Sequence, residues 1–229
     1  MNNITQKTVY LLAMFMALFS ASSFASVVIS GTRVIYPQNE KEVTVKITNA
    51  GKSPVLVQSW IDDGDVNSRP DNIKVPFILT PPINRIDSSN SQTLRISYTG
   101  TNLPEDRESV FWLNVLEIPQ TAKIENRLQV AFRSRIKLFY RPAGLQGLAS
   151  DAAKNLTWSR QGNTLVANNK SPYFVSLVSI EMNKSSIEGE MVPPFGTHSF
   201  PLKNTQSGKA LSYQYVNDWG AVNTQNKQL

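Results

Sequence analysis

The chain contains no cysteine and one histidine, His198. Without cysteine the fold has no disulfide and must stand on ordinary hydrophobic cores. A zinc site would lack its usual ligands. No phosphate-cradling glycine loop and no nucleophile elbow is present. Asp62, Asp63, Asp65 and Asn67 come closest to a metal motif, a calcium loop. Gly64 stands where that spacing demands an oxygen ligand, however, and no glutamate follows at its twelfth position, so the segment reads as a solvated loop between strands. His198, between Thr197 and Ser199, reads as a surface or packing residue on an edge of the second half. Catalysis needs a nucleophile with its base, a metal cage or a pair of tuned carboxylates. None is apparent, so neither an enzyme nor a cofactor is expected.

Long apolar runs are also scarce. The one near the start, Val9 to Phe19, is shorter than the ~20 residues of a membrane-spanning helix, and no later segment is long enough. Lys7 before it and small residues from Ser20 to Ala25 after it have the form of a secretory signal peptide, residues 1–25, cut before Ser26. Removing it takes away one cation, Lys7, and no acid, so the net charge falls from +6 to +5. A balance of that size suits nucleic acid or anionic lipid only where the charges cluster. Here they do not, and neither nucleic-acid binding nor membrane insertion is expected. The nearest approach to a cluster is Arg133, Arg135 and Lys137, which alternation places on one face of a strand as a local cationic site.

What the chain does have is β pattern. Short runs rich in Val, Ile, Tyr, Phe and Thr recur between turn signals, and no helical period is sustained. The expectation is an all-β protein. In the first half, strands are predicted near Val27 to Tyr36, Glu42 to Thr48, Val55 to Ile61, Phe77 to Leu79, Thr93 to Tyr98, Val110 to Ile118 and Leu128 to Tyr140. That number is the count of an immunoglobulin-like sandwich. Val43, Val45 and Ile47 alternate with Thr44 and Lys46, so one face is core.

Arg141-Pro142, followed by small residues, marks the domain boundary and divides the chain into 26–142 and 143–229. The second part reads as a shorter sandwich. Its strands are predicted at Leu156 to Arg160, Thr164 to Asn168, Phe174 to Met182, Gly189 to Val192, His198 to Leu202, Leu211 to Val216 and, weakly, Ala221 to Thr224. Residues from Asn223 to Leu229 are expected to fray.

The segment from Leu128 to Tyr140 is longer than an average strand, and Leu128, Val130 and Phe132 alternate with Gln129, Ala131 and Arg133. From its pattern alone, a core strand is the simpler reading. Leu103-Pro104-Glu105-Asp106-Arg107-Glu108-Ser109-Val110-Phe111-Trp112-Leu113-Asn114-Val115-Leu116-Glu117-Ile118-Pro119 and Ile136-Lys137-Leu138-Phe139-Tyr140-Arg141-Pro142 change that. Together with Gly31 to Tyr36, Thr80-Pro81-Pro82 with Arg85, and Tyr213 through Asn217-Asp218-Trp219-Gly220, they resemble the periplasmic pilus-assembly chaperones of the chaperone/usher pathway. The short connection from Pro119 to Arg127 resembles that of the short-loop class. Gln120 departs from the small residue or proline usual after Pro119.

The resemblance implies two immunoglobulin-like sandwiches in a boomerang and a periplasmic protein that binds pilus subunits and delivers them to an outer-membrane usher. It implies that the segment from Leu128 to Lys137 is lent to a subunit lacking its final strand, with Leu128, Val130 and Phe132 filling the groove. It places the anchor for the subunit's terminal carboxylate on Arg33 and Lys137, and an interdomain salt-bridge set on Glu108, Arg141 and Asp218. It also suggests a cis peptide at Thr80-Pro81. Alternation puts Lys137 on the face opposite Phe132, which would call for a bulge or strong twist if both touch the subunit. The other class in contention is a structural or adhesive pilus or cell-surface sandwich. Self-association of the free protein stays open.

Overall fold

A computed structural model describes residues 26–100, 103–119, 130–182, 185–202 and 210–229. The predicted signal peptide, Leu128 and nearly all of the Pro119 to Arg127 connection lie outside the described residues. Four sheets form two sandwiches, and the strands of the first are drawn entirely from residues up to Arg141.

In the first sandwich, β1 (Val27–Ile29), β3 (Val43–Asn49), β7 (Ser91–Tyr98) and β5 (Phe77–Thr80) make one sheet in that order. The facing sheet runs β2 (Arg33–Pro37), β9 (Phe132–Arg141), β8 (Ser109–Pro119), β4 (Val55–Asp62) and β6 (Ile83–Ile86). Ile47, Val57, Leu94, Ile96, Leu113 and Leu138 are completely buried between the sheets. Each sits at an alternate position of its strand, as the period of two requires.

The single strand predicted from Val27 to Tyr36 is two. After Ile29 the chain leaves one sheet through Ser30-Gly31-Thr32 and enters the other, with β1 antiparallel to β3 and β2 parallel to β9. Apolar residues on both sides of the switch hide the break. Strand β6 was not expected; it lies directly after the Thr80-Pro81 peptide, which is cis.

The second sandwich opens on a one-turn helix α1 (Ala149–Ala152). Its smaller sheet is β10 (Thr157–Gln161), β11 (Thr164–Asn169) and β15 (Gly196–Pro201), with His198 on the outer strand β15, its ring against Phe200 and its Nε2 3.5 Å from Glu190. The larger sheet holds β12 (Val175–Met182), β13 (Ser185–Glu188), β14 (Met191–Val192), β16 (Ala210–Val216) and β17 (Val222–Gln228). The expectation of a fraying C-terminus is overturned. Val222 to Gln228 pair with β16 along its full length, although Asn223, Gln225 and Asn226 carry little β propensity. The ladder and the neighbouring strand override local preference there.

Candidate functional site

Strand β9 is covered unequally on its two edges. On one side β8 pairs with it continuously from Phe132 opposite Glu117 to Tyr140 opposite Ser109. On the other, β2 pairs only from Lys137 to Arg141, beginning at Arg33. Among the described residues, no strand covers the edge of β9 from Phe132 to Ile136. Such an edge presents unpaired N–H and C=O groups and is a template for another chain.

The same segment projects past the core. Ile136, Leu138 and Tyr140 belong to or pack on the first sandwich core. Phe132, on the same face, is 65% exposed, and Val130, just before the strand, is 48% exposed. Neither serves its own domain's core. Val130 and Ala131 are described but outside the strand, so among the described residues of this segment regular β-structure begins at Phe132. The pairing of β8 with β9 runs without a register break between Phe132 and Lys137. The two side chains therefore lie on opposite faces with no bulge between them.

On the outer face, Arg33 stands directly opposite Lys137. The Arg33 guanidinium donates to the carbonyl of Val216 in the second domain at 3.1 Å and lies over the Phe139 ring at 5.6 Å, but among the described residues its buried Nε has no hydrogen-bond partner. Burial pushes the Lys137 ammonium below its usual range, and the Arg33 charge adds to the shift. Burial likewise lowers the Arg33 guanidinium, against the attraction of Asp218 and Glu108. Two adjacent, partly desolvated cations have the charge and the donors to take one anion between them.

Glu108, Arg141 and Asp218 meet between the domains. Arg141 donates through Nε to Glu108 at 2.6 Å and through both terminal nitrogens to Asp218 at 2.8 and 3.0 Å. The second oxygen of Glu108 accepts the backbone N–H of Phe174 at 2.8 Å. Burial raises the Glu108 carboxyl although Arg141 and Phe174 oppose it. Phe139 against Phe174, and Thr32 beside Gly220, add contacts across the same junction.

The cationic site predicted from Arg133, Arg135 and Lys137 does not form as a unit, and Asp62 does not lie in a solvated loop. The Asp62 side chain ends β4 completely buried, where Arg133 and Arg135 both pair with it. It also accepts from Asn114 Nδ2 at 2.7 Å and from the N–H of Gly64 at 2.8 Å. Sequence reasoning missed this cluster. The available signal was two arginines on one strand face, which require an acid if they are to lie down on the sheet.

The N-terminal model of the PapD pili and flagellar-assembly chaperones matches residues 26–146, and the C-terminal model of the PapD pili-assembly chaperone matches residues 151–227. The sequence is 45% identical to that of "Probable fimbrial chaperone YadV" of Escherichia coli K12 over 92% of this chain and 93% of that protein. It is 44% identical to "Chaperone protein FimB/FhaD" of Bordetella pertussis over 92% and 91%. Among solved structures, the Salmonella enterica SafB chaperone in complex with the SafA pilin superposes with a TM-score of 0.80 at 29% identity, covering 91% of this chain and 99% of that one.

Proposed function

The chain belongs to the PapD family of pili-assembly chaperones, and on that premise we propose that it holds pilus subunits by lending β9 as a strand and passes them to an outer-membrane usher. The observation that carries this reading is the open edge of β9 from Phe132 to Ile136, which ends at the Arg33 and Lys137 cations.

A subunit strand lying along that edge gains main-chain hydrogen bonds, while Leu128, Val130 and Phe132 enter its groove. Burying each such side chain is worth about 1.5 to 3 kcal/mol before the ordering costs of association. Its terminal carboxylate docks on Arg33 and Lys137. A strand that ends there and extends toward Phe132 runs in the same direction as β9. The incoming strand lies beside β9 in the plane of the sheet, so it reaches the outer-face cations and the core-side Phe132 together without a bulge.

The working compartment in this reading is the periplasm, with residues 1–25 as the leader, 26–142 as the strand-lending domain and 143–229 as the second. Glu108, Arg141 and Asp218 set the angle between them. The role is holding rather than catalysis. Co-purification from a periplasmic extract, with identification of the bound protein, tests the proposal. A pilus subunit lost on Arg33→Ala supports it. Recovery of the chain alone, or of a partner bound equally by Arg33→Ala, overturns it.

A further inference from the structure

The first half of β9 poses a mechanical problem. Phe132 to Ser134 are exposed, so the core does not hold them, and among the described residues one edge of the segment has no neighbouring strand. Only the ladder to β8 and the outer-face side chains remain to keep it flat.

Those side chains converge on one residue. Arg135 pairs with Asp62 and lies over the Trp112 ring at 4.6 Å. Arg133 reaches Asp62 at 3.4 Å, lies over Trp60 at 5.0 Å, and donates to Asn114 Oδ1 at 2.8 Å and to the carbonyl of Val66 at 2.7 Å. Two side chains of β9 are thus bound down across β8 onto β4. Resting on the strand-lending reading above, we infer that Asp62 is a positioning residue for strand capture, holding Phe132 to Ile136 flat while their other edge stays open. Asp62 takes the place of the core that this half of the strand lacks. It also commits two guanidinium groups that would otherwise compete with Arg33 and Lys137 for a carboxylate on the same face. Burial works to raise the Asp62 carboxyl, but the bonds from Arg135, Asn114 and Gly64 outweigh it and hold the group below the usual range, so it is ionised at neutral pH.

The test compares the wild-type chain with Asp62→Asn, which keeps the shape and removes the charge. Amide hydrogen exchange is read residue by residue, and affinity is measured for a synthetic peptide of alternating Val and Thr ending in a free carboxylate. The expected result is exchange from Phe132 to Ile136 about tenfold faster, unchanged exchange in β3 and β7, and affinity about tenfold weaker. Unchanged exchange and affinity would overturn the role. If Asp62→Asn melts the whole domain, Arg135→Gln reads the same question, because Asp62 keeps Arg133 and Asn114. Faster exchange confined to the segment then supports the inference, and unchanged exchange overturns it. A wild-type chain that ignores the peptide sinks the strand-lending reading, while the exchange comparison still decides what Asp62 does.

Discussion

Arg33 and Lys137 are directly opposed in the parallel pairing of β2 with β9, and among the described residues neither makes an ion pair. Adjacent cations with no acid in contact are costly, the more distant Asp218 and Glu108 offset that cost for Arg33 only in part, and an incoming carboxylate would supply the rest.

Removing one of the two should therefore weaken capture sharply. Arg33→Ala and Lys137→Ala are each expected to cost about 2 to 5 kcal/mol of affinity for a subunit with a free C-terminus. The double variant should lose much less than the sum, because both act on one group. On a C-terminally amidated peptide, wild type and both variants should bind about equally weakly. Titration calorimetry checks this, and undiminished wild-type binding of the amidated peptide removes the anchor.

The Lys137 ammonium, already lowered by burial and by Arg33, should impose an alkaline limit on capture. In the free chain it loses its proton below the usual lysine range, and a bound carboxylate favours the charged form. Affinity is thus full well below the free-chain pKa, falls as pH rises through it, and levels off above the bound-state pKa. The stability contribution has the opposite sign. A lowered folded-state pKa costs stability at neutral pH and relieves that cost as pH rises toward the unfolded value. Binding curves that weaken with rising pH in the wild type, and flatten in Lys137→Arg, are the expected observation.

The exposed half of β9 was legible only through the resemblance, which also pointed to Arg33, Lys137, Glu108, Arg141 and Asp218; alternation by itself looks the same in a core strand and in one whose apolar face is left in water. The Asp62 cluster was not legible, since its members come from β4, β8 and β9 and meet only through pairing. The sheet switch was hidden because Val27 to Tyr36 is apolar on both sides of it. Strand β17 was read only as far as Thr224, for the opposite reason. Its polar side chains say nothing, and its ladder to β16 says everything.

Phe132→Asp and Val130→Asp should reduce subunit holding while leaving thermal melting nearly unchanged, since both residues are about half exposed or more and outside the core. A lowered Tm would mean that these side chains serve their own domain.

Glu108→Ala should destabilise more than Asp218→Ala. Its side chain is 2% exposed against 36%, and its loss leaves both Arg141 and the Phe174 N–H without a buried partner. Breaking a buried pair this way costs about 3 to 5 kcal/mol. Asp218→Ala leaves Arg141 paired with Glu108 and should cost less. Denaturant melts of the two variants, if equal, would contradict the asymmetry.

Gly220 has φ of 83°, and a Cβ there would fall on the Thr32 hydroxyl. Gly220→Ala should cost about 1 to 2 kcal/mol from backbone strain alone and more from the collision. Adding Thr32→Ala should recover only the collision, as read by thermal melting.

The turn at Ser30-Gly31-Thr32 decides whether the protein has a vacancy to offer. Had the chain continued in the register of β2, Val27, Val28 and Ile29 would fall opposite Ala131, Phe132 and Arg133. They would then occupy the row that an incoming strand needs, and the protein would be its own occupant. By sending those three residues to β3 instead, the turn leaves a berth whose far end is fixed by the chain's own Arg33. The guest and the host's β2 share one row of the sheet, so a chain longer than the berth must leave the row or displace the host.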